Sequence, residues 1–401
     1  MRTPIFLSWE RAVEDAFDAG IPGHYGDPSG EQWALEEGNA LVDFSDLDVI
    51  SVTGPDRLTW LTTLSTNVIS DLVPGQSREI LFLDPHGHIT YAAAVSDNGS
   101  RTLLIVDAGY GAGLVEFLNR MKFALRVEIA DISSEVAVLG RIVVRPEGEG
   151  RGEAEVESLP VDEAAHVASW VDPWPQLMDY GASYHRVANG ESWQRHPGSG
   201  RQRVFDIVRR DAATSVARSW VSRGGVLAGR IAWEALRIED YRPRLAREVD
   251  ERTLPHELDW LRTAVHLNKG CYCGQEAVAR IVNLGKPPRR LTLLHLDGSQ
   301  SRQVKPGDSV QLGTRSVGRV TSVARHADLG PIALVMLKRG VRCEETVVVM
   351  SEEGEVAAAQ ESIVDVEGRS SVTPHTRPGS ELRGRGVGVS KPPTGTTQRK
   401  G

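Results

Sequence analysis

The stretch richest in possible chemistry is Lys269-Gly270-Cys271-Tyr272-Cys273-Gly274-Gln275-Glu276-Ala277-Val278-Ala279-Arg280. It holds two of the chain's three cysteines, one residue apart, between two glycines and behind a lysine. A helical pattern follows, with Val278, Ile281 and Val282 on one face, and it stops at Gly285 before Pro287 and Pro288. A thiol near a helix start and a cation loses its proton more easily, and glycine lets backbone approach a ligand closely. Cys271 therefore reads as a reactive thiol, with Lys269 as its activating cation. A Cys-x-Cys disulfide is strained, so Cys273 reads as a free partner thiol, with metal binding ranked lower. Glu276 and Arg280 are four apart on the same helix, a spacing at which opposite charges pair.

The elements that must position this stretch alternate between strands and helices. Residues 1–36 read as a helix followed by a loop marked by Gly20, Pro22, Gly23, Gly26, Pro28 and Gly30. Thr53-Gly54-Pro55-Asp56 ends a strand and opens a helix carrying Leu58, Leu61 and Leu64. Glu79–Leu83 and Ile89–Val95 read as an antiparallel hairpin joined by Asp84-Pro85-His86-Gly87-His88. A strand at Thr102–Val106 leads to a helix with Leu114, Val115, Leu118 and Met121 on one face. Trp170, Trp174, Tyr180, Tyr184 and Trp193 cluster at irregular spacing, as at a domain seam. A helix over Ile231–Tyr241 buries Ile231, Ala235 and Ile238, so Arg237 and Glu239 project off that stripe.

Beyond Pro288, short strands at 291–296, 309–312, 317–323, 332–337 and 347–350 are punctuated by glycine, which reads as a small antiparallel barrel. Cys343 falls at its edge as an inert structural cysteine. The expected architecture is α+β. Residues 1–36 lead in, a core over 37–288 splits near 135–145, a barrel covers 289–351, and 352–401 ends the chain. From Glu367 onward there are almost no apolar residues, so burial cannot offset the entropy of ordering, and a basic disordered tail is expected.

Composition bounds the function classes. The 401 residues are 40% hydrophobic and 25% charged, ordinary for a globular chain, with no apolar run able to span a bilayer. The first residues mix Arg2, Glu10, Arg11, Glu14 and Asp15 among apolar ones, unlike a secretory or transit segment, and a cytoplasmic protein is expected. A net charge of −8 argues against stable nucleic-acid binding. Three cysteines are too few for a disulfide framework or an all-thiol zinc site.

Lys269 to Glu276 resembles the signature of the YgfZ family of folate-binding proteins, with Cys273 at its variable fifth position. Arg237-Ile238-Glu239, Leu254-Pro255-His256-Glu257 and the run to Arg280 follow the family's order and approximate spacing. Upstream, Val52-Thr53-Gly54-Pro55-Asp56, Thr66-Asn67-Val68 and Pro74-Gly75 are similar to the amino-terminal half of the same superfamily, and Gly318-Arg319-Val320-Thr321-Ser322 to its barrel. That superfamily includes the aminomethyltransferase, or T-protein, of glycine cleavage. The likeness covers roughly residues 37–345 and implies packed α+β subdomains around a central folate cavity, with a carboxy-terminal antiparallel β-barrel.

The resemblance implies tetrahydrofolate as cofactor, with Arg237, Glu239, Asn67, Tyr272, Gln275, Glu276 and Arg280 as candidate contacts. A carboxylate such as Glu239 suits the pterin edge, which offers two adjacent donors. Where the T-protein carries paired aspartates after the hairpin glycine, Gly87-His88-Ile89 is here followed by Thr90 and Tyr91. The group that would handle the proton during one-carbon transfer is therefore missing. The implied role is assembly or repair of iron–sulfur enzymes, some of which modify tRNA, with Cys271 and Lys269 as the reactive pair and iron–sulfur client or assembly proteins as partners. The competing readings are a one-carbon transferase using His86 or His88 in place of the lost acid, and a scaffold that folate stabilises.

Overall fold

The computed structural model describes residues 4–16, 18, 20–145, 159, 165–185 and 196–374. Trp193 and the tail beyond Pro374 lie outside them. A single turn at Ile5–Ser8 precedes a two-stranded ribbon, β1 (Val13–Glu14) and β2 (Pro22–His24), and then helix α1 (Pro28–Glu36). The expected order of helix then loop is thus reversed. Pro28 and Gly30 are not loop markers: Pro28 takes the first helical turn, and the Asp27 carboxylate caps it by accepting from the Gly30 N–H at 3.0 Å.

Strands β3 (Ala40–Asp43) and β4 (Asp48–Thr53) follow, then α2 (Arg57–Leu64), β5 (Ser77–Leu83), β6 (Ile89–Asp97), β7 (Arg101–Val106), α3 (Gly111–Met121), β8 (Glu128–Asp131) and β9 (Val136–Val144). One sheet has the order β5-β6-β7-β4-β8. Its outer face packs under α2 and α3, where Leu61, Leu114 and Leu118 close over Ile50, Ile80, Phe82 and Leu104. Helix α3 presents Leu114 and Leu118 to that core because they are four apart on one face.

After β10 (His166–Val171) come β11 (Arg201–Arg209), α4 (Ala213–Ser222), β12 (Val226–Ala228), α5 (Arg230–Glu239) and the short α6 (Leu245–Glu248). These strands complete a second sheet, β10-β11-β9-β3-β12, in which β12 runs parallel to β3. The strand β9 enters this sheet where the boundary near 135–145 was expected, but β3 from the first half also belongs to it. The two halves are therefore interleaved.

Helix α7 (Gln275–Leu284) leads into a closed barrel of β13 (Arg289–Leu296), β14 (Ser309–Leu312), β15 (Arg315–His326), β16 (Gly330–Lys338), β17 (Val347–Ser351) and β18 (Gly354–Ser362), in the order β13-β16-β15-β14-β17-β18. The barrel thus runs past the expected limit at 351. Strand β18 closes it by pairing with β17 and β13. Residues 363–374 then fold back, the Asp365 N–H donating to the Tyr184 carbonyl and the Ser371 N–H to that of Ser183, each at 2.8 Å. Part of the segment expected as tail is therefore packed. Among the described residues no helix is long and apolar enough to cross a membrane.

The β5–β6 hairpin turn and the start of α7 meet backbone to backbone. Gly274 caps α7 with φ 81°, and a Cβ there would come within 2.7 Å of the Asp84 carbonyl and 2.9 Å of the Gly87 Cα. Both the left-handed backbone and the lack of space require glycine. Gly274→Ala is expected to destabilise the chain by about 1–3 kcal/mol, read as a lower urea midpoint with unchanged slope; an unchanged midpoint would show that this contact opens freely.

Candidate functional site

Between the two sheets, α5 and the segment after it lies a cavity of about 120 Å³. The small side chains of Ala92 and Ala94 on β6 leave the room at its floor. Its apolar walls are Phe44, Trp170, Phe205, Trp233 and Trp260. Phe205 stacks on Trp233 with ring centres 5.9 Å apart, and Phe44 meets the same indole edge-on at 4.9 Å. Aromatic walls of this kind favour a flat, apolar-faced ring.

Charge is supplied in balanced form by Arg203, Arg237, Arg242 and Arg244 against Glu79, Asp107, Asp172 and Glu234. Arg242, in the loop after α5, donates to Glu79 of β5 at 2.5 Å and to Asp172 beyond β10 at 3.0 Å. Its third nitrogen, Nη1, is buried without a partner, as is Nε of Arg203. Buried donors left unpaired are costly, so these two atoms mark where a ligand's acceptors would be welcome. Burial pushes the Asp172 carboxyl up despite Arg242. Burial would raise Glu234 as well, but the guanidiniums of Arg237 and Arg244 outweigh it and hold it at about 2. Arg244 is fixed in turn by Asp107 at 2.6 Å.

Arg237 is not on a solvated face. It is 3% exposed, because α5 is covered by α1 and the barrel as well as by the second sheet. Its guanidinium donates to Glu234 at 2.7 Å, Ser322 of β15 at 2.6 Å, the Arg242 carbonyl at 2.7 Å and buried Glu248 at 3.2 Å. Glu239 does not line the cavity. It pairs with Arg201 and lies 3.3 Å from His326. Glu36, Glu239 and His326 bring ligating atoms within 4.8 Å of one another, and Arg201 already supplies positive charge to both acids.

The cysteine loop is a separate place: none of residues 269–280 lines the cavity. Cys271 and Cys273 are both exposed free thiols. The Lys269 ammonium is not held on Cys271. It donates to the carbonyls of Thr62 and Ser65 at the end of α2, 5.0 Å from the Tyr272 ring centre, and burial lowers it to about 8. Burial, and after it the Asp84 carboxylate, pushes the Cys273 thiol up rather than down. Gln275 donates to the Lys269 carbonyl at 3.2 Å and so braces the loop. Glu276 and Arg280 are exposed, and the ion pair expected from their spacing is not formed. Asn67 is buried, donating to the carbonyls of Glu79 and Thr263 at 3.0 and 3.1 Å, which fixes β5 beside the segment ahead of the cysteine loop.

Of the candidate folate contacts named from sequence, the cavity brings in Arg237 alone, and of the suspected seam aromatics Trp170. Glu79, Asp172, Arg203 and Arg242 were not anticipated. The Arg242-Pro243-Arg244 run directly after the Arg-Ile-Glu helix was the available signal, together with Trp170 and Trp174 in the suspected seam. A second cavity, of about 390 Å³, lies between Asp15, Ala16 and Asp18, α5 and the barrel, and Glu234 borders both.

Residues 8–141 match the GCVT N-terminal domain family. The chain is 27% identical over 292 residues to an Arabidopsis thaliana chloroplastic protein named as a transferase, covering 72% of this chain but only 62% of that one. It is 27% identical to the aminomethyltransferase of Rubrobacter xylanophilus, over 81% of this chain and 80% of the relative. Its fold is similar to that of the glycine cleavage aminomethyltransferase T of Bartonella henselae, with a TM-score of 0.68 at 19% identity over 91% of this chain and 97% of the other. The structural likeness shows a shared mixed α+β fold with a closed carboxy-terminal barrel, and the family match covers the amino-terminal third of the chain.

The helix after the cysteine loop has a pH-sensitive anchor. His256 is fully buried, its Nε2 lies 3.1 Å from the Val278 carbonyl of α7, and burial lowers it to about 4. The folded chain keeps this imidazole neutral, whereas the unfolded chain binds the proton below its ordinary value near 6.5. Stability is thus full above pH 6.5 and falls as pH drops toward 4, by up to about 3 kcal/mol. Urea unfolding across that range should show the decline, and His256→Gln should flatten it; an equally steep profile in the variant would assign the effect elsewhere.

Proposed function

We propose that this chain binds a reduced folate in the cavity between its sheets and acts as an accessory factor for iron–sulfur enzymes, rather than as an aminomethyltransferase. The observation that carries the folate reading is the pairing of aromatic walls with the unpartnered Arg242 Nη1 in the cavity between the sheets. The donor set fits a flat, polar-edged heterocycle: indoles would face its ring, Arg203 and Arg242 would meet its acceptors, and a lining carboxylate would meet its paired N–H donors. A reduced folate supplies one-carbon carrier chemistry when bound. The chain's residues bind and orient it and keep water from it. With Glu239 outside the cavity lining, the pterin carboxylate comes from one of the lining acids instead.

The position of the lost aspartate pair supports a role without aminomethyl transfer. Thr90 donates to the Phe82 carbonyl at 2.8 Å, and Tyr91 packs toward the opposite core. Neither offers a carboxylate, and His88 does not line the cavity. Its relatives' names favour transferase chemistry, but that chemistry would need a proton-handling group at this place.

Calorimetric titration with 5-formyltetrahydrofolate is expected to give one micromolar site per chain and to quench tryptophan fluorescence from Trp170, Trp233 and Trp260. Ala94→Leu fills the floor without touching an ion pair, and should weaken binding at least tenfold at an unchanged unfolding midpoint. Absence of heat and quenching in the native chain would remove the folate reading. For the accessory role, a deletion strain should lose activity of an iron–sulfur enzyme and regain it with the native gene but not with Cys271→Ala. Equal rescue by that variant would exclude the thiol from the role.

A further inference from the structure

Cys343 is a free, half-buried thiol in the turn between β16 and β17, at a place that sequence alone reads as inert. Hydrogen bonds hold that turn on both sides of it. The Val341 carbonyl accepts from Arg290 Nη2 of β13 at 3.1 Å. The Arg342 and Glu345 carbonyls accept from Gln360 Nε2 of β18 at 2.9 and 2.6 Å, and the Arg342 N–H donates to the Glu345 carboxylate at 3.0 Å. The Arg290 side chain is wholly buried. Its Nη1 donates to Thr292 at 2.6 Å and its Nη2 to Gln360 at 2.8 Å. Burial works against its charge, which the Cys343 side chain, by charge and a hydrogen bond, and the Asp365 carboxylate sustain. Its Nε is buried with no partner. A buried donor left unpaired is costly, so the guanidinium against Cys343 is one acceptor short.

We propose that Cys343 is a site of oxidation by hydrogen peroxide, and that Arg290 retains the product, a sulfenic acid, by donating its free Nε–H to the new oxygen. The thiolate is the species that attacks peroxide, and an adjacent cation favours it. Sulfur attacks one peroxide oxygen, so an S–O bond forms as the O–O bond breaks. The departing hydroxide takes up the thiol's proton and leaves as water. Two electrons pass from sulfur to peroxide, and the sulfenic acid is the first, reversible step of thiol oxidation. The reaction thus places an acceptor on the one side chain that already meets the guanidinium. The turn is tied to β13 and β18, the pair that closes the barrel, so the oxidised thiol adds a bond across that closure. This site is separate from the cavity and from the loop of Cys271 and Cys273, and it stands whether or not either has the role proposed above.

The test uses the reduced full chain carrying Cys271→Ser and Cys273→Ser, so that Cys343 is its one thiol, treated with hydrogen peroxide and followed by intact mass. One oxygen should add to the folded chain at least tenfold faster than to the same chain unfolded in urea, the reverse of what shielding by burial alone would do. Dimedone added afterwards should mark Cys343 as a sulfenic acid in peptide mass spectrometry. Arg290→Lys keeps a cation but removes Nε and the planar fork, and should slow the folded reaction at least fivefold; its urea midpoint reports whether the barrel is intact. Where that variant does not fold, the comparison of folded with unfolded chain decides. A folded rate no higher than the unfolded one, passage to two added oxygens with no dimedone adduct, or an unchanged rate in a folded Arg290→Lys chain would overturn the assignment.

Discussion

The guanidinium of Arg242 is the constraint on which the rest of the architecture leans. It is 8% exposed and joins Glu79 of one sheet to Asp172 at the edge of the other. Removing one member of such a buried group leaves a charge unpaired, at a cost of about 3–5 kcal/mol. The same loop continues to Arg244 on Asp107, and its Arg242 carbonyl accepts from Arg237. Arg237 in turn reaches Ser322 and Glu248, which ties the barrel to the sheets. Packed apolar side chains alone would fill the space between two sheets. The ion pairs that span them here border a part that stays open, and that space is the cavity.

The division of labour that emerges places ligand recognition and thiol chemistry in different parts of the molecule. Arginines and indoles face inward between the sheets, whereas both cysteines of the loop face solvent. What links them is β5 and β6: these strands line the cavity with Glu79, Ala92 and Ala94, and their shared turn carries the histidines against the cysteine loop. Asn67 reinforces the link by holding β5 to the segment that precedes that loop.

Much of this fold was legible because local signals and tertiary demand agreed. The hairpin over 79–95, the helix after Gly274 and the barrel strands up to Met350 carry periodicity and glycine punctuation that match what they bury. Strand β18 was missed because Glu355-Val356-Ala357-Ala358-Ala359 lacks β-branched and aromatic residues apart from one valine. It is extended because the barrel needs a closing partner. The burial of Arg237 was hidden for a related reason: a helical stripe shows which face is apolar, but not that the polar face is also enclosed. Lys269 was assigned to its sequence neighbour, whereas the carbonyls that hold it belong to α2, more than two hundred residues away. Long side chains take partners that spacing along the chain does not reveal.

The returning segment after β18 has a consequence for synthesis. The carbonyls of Ser183 and Tyr184 lie in the middle of the chain, yet their donors are Ser371 and Asp365, and β13 gains one of its two neighbours only from β18. A ribosome must therefore deliver nearly all the described residues before these groups are paired. The amino-terminal sheet can form early from contiguous strands, but the seam beside the cavity is finished last. Its interval of exposure is set by translation speed rather than by the strength of any one contact.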